Sequence, residues 1–224
     1  MFFWLSFFLL AACHQHDDDG GHDGHDHGAH QHANDHMHQT PFDSLVERFN
    51  NPERDAWQKP DWVIGLMGDL EGKTVVDIGA GSGYFSFPIA AKGARVLALD
   101  INQRFLDYIK QKRDAMSEKP AIETRLVPED NPKLMPGEAD DVIIVNTYHH
   151  ISNRPDYFHK VKTGLKPGGA LLVIDYKKEE LPHGPPLEMK LAPEAVVSEL
   201  QQAGFTEISV DEESLEYQYV VMAR

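Results

Sequence analysis

The architecture of this chain can be worked out from one segment, Val75-Val76-Asp77-Ile78-Gly79-Ala80-Gly81-Ser82-Gly83-Tyr84. It opens with apolar residues typical of a buried strand and continues into three glycines at alternate positions. Glycine lets the backbone turn sharply and lie close to a ligand, because it has no Cβ. We therefore predict a strand, a tight loop and a helix that starts near Gly83 and points free N–H groups at a ligand.

Around this segment, short runs of Val, Ile and Leu alternate with helical patterns from Pro41 to the C-terminus. This alternation predicts a mostly parallel sheet with helices on both faces. The last two strands have no helix between them and predict an antiparallel hairpin at one edge. The predicted strands are Thr74–Ile78, Arg95–Leu99, Ile122–Val127, Asp141–Asn146, Ala170–Asp175, Thr206–Val210 and Tyr217–Met222. The predicted helices are Phe42–Phe49, Trp62–Leu70, Tyr84–Ala91, Gln103–Met116, Pro155–Thr163 and Pro193–Ala203.

A carboxylate, Asp100, ends the second predicted strand. In an open parallel sheet, ligands bind beyond the carboxyl ends of the strands, where Asp100 and the glycine loop would meet. A carboxylate there can accept hydrogen bonds from both ribose hydroxyls of a nucleoside. A nicotinamide oxidoreductase would need a small residue where Tyr84 stands. A phosphate loop at Gly72-Lys73-Thr74 is disfavoured, because it precedes its strand and Met67 replaces the first glycine.

Two motifs carry a family resemblance. The pattern Asp77-x-Gly79-x-Gly81-x-Gly83 followed by Asp100 resembles motif I and the acidic motif of class I S-adenosylmethionine-dependent methyltransferases. The segment 165–169, LKPGG, is similar to a turn before a strand in that family. The resemblance covers most of residues 41–224. It implies a Rossmann-like, doubly wound α/β fold with seven strands in the order 3-2-1-4-5-7-6, and an enzyme whose cofactor is S-adenosylmethionine.

The same resemblance implies roles for individual residues. Gly79, Gly81 and Gly83 would hold the methionine part of the cofactor, Asp100 its ribose, and Asp77 its amino group. The remaining cofactor-binding candidates follow the third and fourth predicted strands and are Glu129, Asp130 and Asn146.

Two histidines follow the fourth predicted strand, in the stretch 146–151, NTYHHI. The resemblance places this stretch beside the transferred methyl group. Imidazole has an ordinary pKa near 6.5, so either histidine could deprotonate an acceptor hydroxyl or amine. Equally, one histidine could order the loop while the other packs against the next helix. His149 and His150 are therefore the candidate catalytic residues.

Two other segments have a functional and a structural interpretation. The long connection 177–192 contains three prolines and starts at a strand end. It forms either part of an acceptor pocket, with His183 and Glu188, or a stiff surface crossover. Trp57 is either a lid residue or a core anchor.

Charge bears on the acceptor. The chain has 36 acidic and 21 basic residues and a formal net charge of −15. Proteins that bind nucleic acids usually present a basic surface. We therefore predict a small-molecule acceptor and no nucleic-acid partner. The oligomeric state cannot be read from the sequence.

The N-terminal residues 1–12, MFFWLSFFLLAA, are almost entirely apolar. A helix of this length is too short for a bilayer of about 30 Å, but it matches the apolar region of a signal peptide. The small residues Ala11 and Ala12 precede Cys13, the only cysteine, and the segment resembles a bacterial lipoprotein signal. The resemblance implies cleavage before Cys13 and lipidation of its thiol. We predict a membrane-anchored protein facing the periplasm or cell exterior, or a cytoplasmic one if the signal is not processed.

Residues 13–40 join this signal to the predicted domain, 41–224. They contain nine of the 13 histidines and six aspartates, with few apolar side chains, which predicts a disordered tether. Imidazoles bind divalent metals, so weak multivalent binding is expected at residues such as His22, His25 and His27. We predict no metal site in the folded domain. The alternative function is a lipid-anchored metal-binding protein whose methyltransferase-like domain is not catalytic.

Overall fold

A computed structural model of the protein describes residues 39–224. Cys13 and the histidines at positions 22, 25 and 27 lie outside the described residues. Three short helices precede the sheet: α1 (Phe42–Phe49), α2 (Arg54–Gln58) and α3 (Pro60–Gly65). In the described part of the chain, no helix has both the length and the apolar composition needed to cross a membrane.

Seven strands form one sheet in the order β3-β2-β1-β4-β5-β7-β6. Strands β1 to β5 pair in parallel, whereas β7 runs antiparallel to both β5 and β6. This confirms the predicted order and the antiparallel edge hairpin. The strands are β1 (Thr74–Ile78), β2 (Arg95–Asp100), β3 (Ile122–Leu126), β4 (Ala139–Val145), β5 (Leu165–Tyr176), β6 (Ile208–Asp211) and β7 (Gln218–Ala223).

Helices cover both faces of the sheet, because alternate residues of each central strand point in opposite directions. In β4, Val142 and Ile144 belong to the apolar core that contains Phe158 and Leu200. Ile143 belongs to the opposite core. The helices are α4 (Ser86–Ala91), α5 (Gln103–Asp114), α6 (Arg154–Gly164) and α7 (Pro193–Gln202), with short 3₁₀ turns at Tyr148–His150 and Leu187–Met189.

Three local predictions need correction. The helix after the glycine loop begins at Ser86 and not near Gly83, because Gly83 has the left-handed φ of +77° that a right-handed helix does not accept. The helix predicted at Trp62–Leu70 is α3, which ends at Gly65. Asn146 is not the last residue of β4, since its φ of +53° turns the chain away from the sheet.

Strand β5 begins earlier than predicted. Leu165 pairs with Ala139 and Ala170 pairs with Asp141, so the four residues between them bulge out of the ladder. Gly168 lies in this bulge with a φ of +82°. The predicted turn at 165–169 is thus an irregularity within a long strand rather than a separate connection.

Candidate active site

The glycine loop follows β1 at the carboxyl edge of the sheet. The N–H groups of Gly79 and Ala80 both donate to the carbonyl of Leu99 on β2, at 2.9 Å. Gly79 has a φ of +69°, and a Cβ there would lie 2.5 Å from the side chain of Thr147. Only glycine therefore fits at this position, because Thr147, two residues after β4, occupies the space that a larger side chain would need.

Asp100 supports the loop from the end of β2. The Gly81 N–H donates to Oδ2 of Asp100 at 2.9 Å, and the Asn102 N–H donates to Oδ1 at 2.8 Å. The carboxyl group is only 8% exposed, and burial raises its pKa to about 6. A carboxylate with two oxygens keeps lone pairs beyond these two bonds. The structure thus brings Asp100 and the loop together, as the sequence predicts.

Asp77, the second acidic candidate of this region, lies on β1 just before the loop. Its Oδ2 accepts a hydrogen bond of 2.6 Å from the Ser86 hydroxyl, and burial raises the pKa of Asp77 to about 6. Another loop residue, Ser82, is 1% exposed, and its hydroxyl has no hydrogen-bond partner within residues 39–224. A buried polar group without a partner is unfavourable by about 1–3 kcal/mol, so this hydroxyl marks a place for a polar ligand.

Helix α2 lies over the carboxyl edge of the sheet, and we call it the roof. At one end, the Arg54 guanidinium lies 4.1 Å above the ring of Tyr84, the residue directly after the loop. Asp55 accepts a hydrogen bond from the Tyr84 hydroxyl. The sequence does not predict this helix, because five residues are too few to show helical periodicity.

The other end of the roof is held by three side-chain amides, which we call the amide ring. Gln58 Nε2 donates to Gln218 Oε1 at 2.6 Å, and Gln218 Nε2 donates to Asn146 Oδ1 at 2.5 Å. Asn146 Nδ2 completes the ring by donating to Gln58 Oε1 at 3.3 Å. Gln58 and Gln218 are fully buried. The ring fastens the roof to the end of β4 and to the start of β7, and its two glutamines were not predicted as site residues.

Trp57 is partly exposed to solvent, and its ring packs against three other aromatic rings. Its ring stacks on that of His183 at a centroid distance of 5.4 Å, and it contacts Tyr176 and Tyr217 at 6.1 and 6.0 Å. The roof, the 177–192 connection and the segment before β7 therefore meet at this aromatic cluster. Glu188, in the same connection, is exposed.

The two candidate catalytic histidines have different surroundings. His149 is 5% exposed, and its Nδ1 lies 2.9 and 3.0 Å from the two carboxylate oxygens of Asp175 at the end of β5. The backbone N–H of His149 also donates to Asp175, at 3.1 Å. His150 is only partly buried, with its ring 4.4 Å from that of His149. Asp175 was not predicted, because it follows the histidine by 26 residues.

The two acidic residues after β3 are placed differently from the rest of the site. Glu129 and Asp130 are exposed on the connection between β3 and β4. The backbone carbonyl of Asp130 accepts a hydrogen bond from Lys160 at 3.1 Å. Their role near the adenine stays a prediction.

Comparison with known proteins agrees with this geometry. Residues 76–171 match a family described as "Methyltransferase domain". A solved structure, a SAM dependent methyltransferase from Aquifex aeolicus, is 27% identical with a TM-score of 0.74, covering 80% of this chain and 96% of that one. This chain contains a methyltransferase domain.

The methyltransferase domain also has curated relatives. A tRNA U34 carboxymethyltransferase of Azotobacter vinelandii is 32% identical over 106 residues, which are 47% of this chain and 33% of the relative. A ubiquinone biosynthesis O-methyltransferase of Dechloromonas aromatica is 29% identical over 114 residues, 50% of this chain and 48% of the relative. This chain thus spans about half or less of these relatives.

The methyltransferase domain is of the S-adenosylmethionine-dependent class I type, and its residues fit that cofactor. The Ser82 hydroxyl is buried without a partner among the described residues, and the Asp100 carboxylate accepts from the neighbouring Gly81 N–H. Within residues 39–224, no group of three or more His, Cys, Asp or Glu side chains could hold a metal ion.

We expect Gly79→Ala to weaken binding of S-adenosylhomocysteine strongly, because the new methyl group would push against Thr147. The matched control is Gly68→Ala, since Gly68 has a similar φ of +72° but no atom near its added Cβ. Both variants should lose about 1–2 kcal/mol of unfolding free energy from left-handed strain, and Gly79→Ala about 1–3 kcal/mol more from overpacking. Urea denaturation and calorimetric titration measure the two effects. Equal stability and equal affinity in the two variants would contradict this account.

Proposed function

We propose that this chain transfers a methyl group from S-adenosylmethionine to a small-molecule acceptor. The observation that carries the proposal is the hydrogen bond from the Gly81 N–H to the buried Asp100 carboxylate. It joins a loop suited to an aminoacyl group with a carboxylate suited to ribose hydroxyls, at the edge of the sheet where ligands bind.

Each part of the cofactor has candidate partners in this arrangement. The backbone of the loop at Gly79, Gly81 and Gly83 would hold the methionine part, with Asp77 below it, and Asp100 would accept from the ribose. The sulfonium of the cofactor supplies an already activated methyl group. Catalysis therefore depends mainly on holding the acceptor in line with it and on excluding water.

A base is needed only if the acceptor starts protonated, and we assign that role to His149 with His150 as the other candidate. An ionised Asp175 can only accept hydrogen bonds, so the proton of a neutral His149 lies on Nδ1, which contacts it. This leaves the lone pair on Nε2, the tautomer that a general base requires. Asp175 is in this scheme a positioning residue.

The charge of the chain and its roof favour a small acceptor. The formal net charge of −15 works against a polyanion, and the roof closes over the loop through Tyr84 and the amide ring. The names of the relatives give two acceptor classes to compare, tRNA and a quinone precursor. The quinone precursor is the one that agrees with this charge.

The function is tested by binding and by turnover of the full chain. Calorimetric titration with S-adenosylmethionine and S-adenosylhomocysteine should show micromolar binding that Asp100→Ala removes, while Asp107→Ala, an exposed control on α5, keeps it. Release of S-adenosylhomocysteine is then measured with a panel of small phenols, amines and thiols, and separately with unfractionated tRNA. Release with tRNA alone would overturn the small acceptor. If the folded chain binds neither ligand, the proposal that it is an S-adenosylmethionine-dependent enzyme is wrong, and the metal-binding alternative is favoured.

With the acceptor found in that panel, we expect His149→Gln to lower kcat by about 100-fold or more while the affinity for S-adenosylhomocysteine stays within about threefold. Asp175→Asn should also lower kcat, because an amide can present a donor to Nδ1 and then favours the tautomer that lacks a lone pair on Nε2. His159→Gln is the control, since His159 is exposed on α6. Unchanged turnover in both His149→Gln and His150→Gln would remove histidine from the mechanism.

We also propose that Cys13 carries a lipid anchor. The support is the apolar run before the two alanines and the cysteine. Cell fractionation and mass spectrometry of the wild-type chain and of Cys13→Ser test this. We expect the wild-type chain in the membrane fraction with the mass of a lipidated chain that begins at Cys13, whereas the variant should carry no lipid and should keep residues 1–12. Equal masses and equal distribution would instead favour an unprocessed chain in the cytoplasm.

A further inference from the structure

Arg54 is a partly buried cation whose hydrogen-bond partners are neutral. Its Nη1 donates to the carbonyl of Phe49 at 3.0 Å. Its Nε and Nη2 both donate to Oε1 of Gln58, each at 3.3 Å. The same Oε1 also accepts from Asn146 at 3.3 Å, so one amide oxygen serves three donors at long distance. The five N–H donors of the guanidinium are therefore under-used.

No carboxylate of residues 39–224 forms an ion pair with this guanidinium. Asp55 and Asp77 contribute only electrostatic attraction, and one oxygen of each accepts a hydrogen bond elsewhere, from Tyr84 and Ser86 respectively. Burial lowers the pKa of Arg54, yet arginine stays charged at neutral pH. A charge that has lost part of its hydration and has no counter-ion among the described residues is unfavourable, which suggests that an anion completes the site.

The position of Arg54 indicates which anion. Its guanidinium lies over Tyr84, directly after the glycine loop. Phe49, whose carbonyl receives Nη1, has its ring 3.2 Å from the point where a Cβ on Gly81 would lie. Arg54 thus contacts two residues that border the loop: Phe49 near its middle, at Gly81, and Tyr84 directly after it. Asp77 of β1 is near enough to attract its charge.

We propose that Arg54 binds the carboxylate of the cofactor's methionine part, which rests on the function proposed above. The planar fork of a guanidinium pairs with a carboxylate through two parallel hydrogen bonds. With Asp77 below the loop and Arg54 above it, the two charged ends of an amino acid meet groups of opposite sign. Gln58, fixed by the amide ring, positions Arg54 through the bonds to Nε and Nη2.

The test compares two ligands that differ in the amino-acid part. Calorimetric titration of the full chain uses S-adenosylhomocysteine and 5′-methylthioadenosine, which lacks the aminocarboxylate. We expect Arg54→Met to weaken S-adenosylhomocysteine binding about 10- to 100-fold and to leave methylthioadenosine binding within about threefold, as for loss of a charge-assisted pair. Arg104→Met is the matched control, because Arg104 makes a similar contact of 4.2 Å with the ring of Phe42 but is exposed on α5.

The outcomes separate the two proposals. If the wild-type chain does not bind S-adenosylhomocysteine, the proposed function itself fails. If the wild-type chain binds it, and Arg54→Met lowers the affinity for both ligands equally or for neither, then Arg54 only fastens the roof and this inference is overturned. Thermal melting shows whether Arg54→Met is folded. If it is not, Arg54→Lys keeps the charge without the fork and should lose affinity for S-adenosylhomocysteine alone, to an intermediate degree; equal loss for both ligands contradicts the proposal.

Discussion

The hydrogen bond between the Gly81 N–H and Asp100 ties the loop after one strand to the end of the next strand. Parallel pairing of β1 with β2 places Ile78 opposite Leu99, so the loop and the carboxylate leave the sheet side by side. A carboxylate buried this far needs donors, and two backbone N–H groups supply them. The register of the sheet therefore fixes both the shape of the loop and the position of the carboxylate beside it. The other residues of the cleft are arranged around this pair.

The roof shows how a very short helix can be stable in a protein. Five residues form too few hydrogen bonds to hold a helix in water. Here most of the side chains are occupied: Arg54 and Asp55 contact Tyr84, Trp57 joins the aromatic cluster, and Gln58 enters the amide ring. The roof is therefore stable as a helix only because it packs against the rest of the domain. Most of its contacts are polar, so a polar ligand could replace them.

The sheet order, the glycine loop and Asp100 could be predicted because their signals are local or recur at a fixed period. The loop needs left-handed residues in sequence, and the strands need continuous apolar runs. The roof and its fastening could not be predicted in this way. Gln58 and Gln218 are 160 residues apart, and nothing in the sequence around either one indicates a buried amide. The pairing of His149 with Asp175 likewise depends on the neighbouring ends of β4 and β5. The sequence therefore indicates the histidine as a candidate but does not indicate its partner.

The amide ring has a consequence for the order in which the molecule is assembled during synthesis. One of its members, Gln218, is the first residue of the final strand, and it pairs with Tyr176 across the antiparallel ladder. A ribosome has therefore made the glycine loop, the acidic strand end and both histidines well before it makes the residue that fastens the roof. The amide ring therefore cannot close before Gln218 has been synthesised, so fastening of the roof through it has to follow the addition of β7 to the sheet.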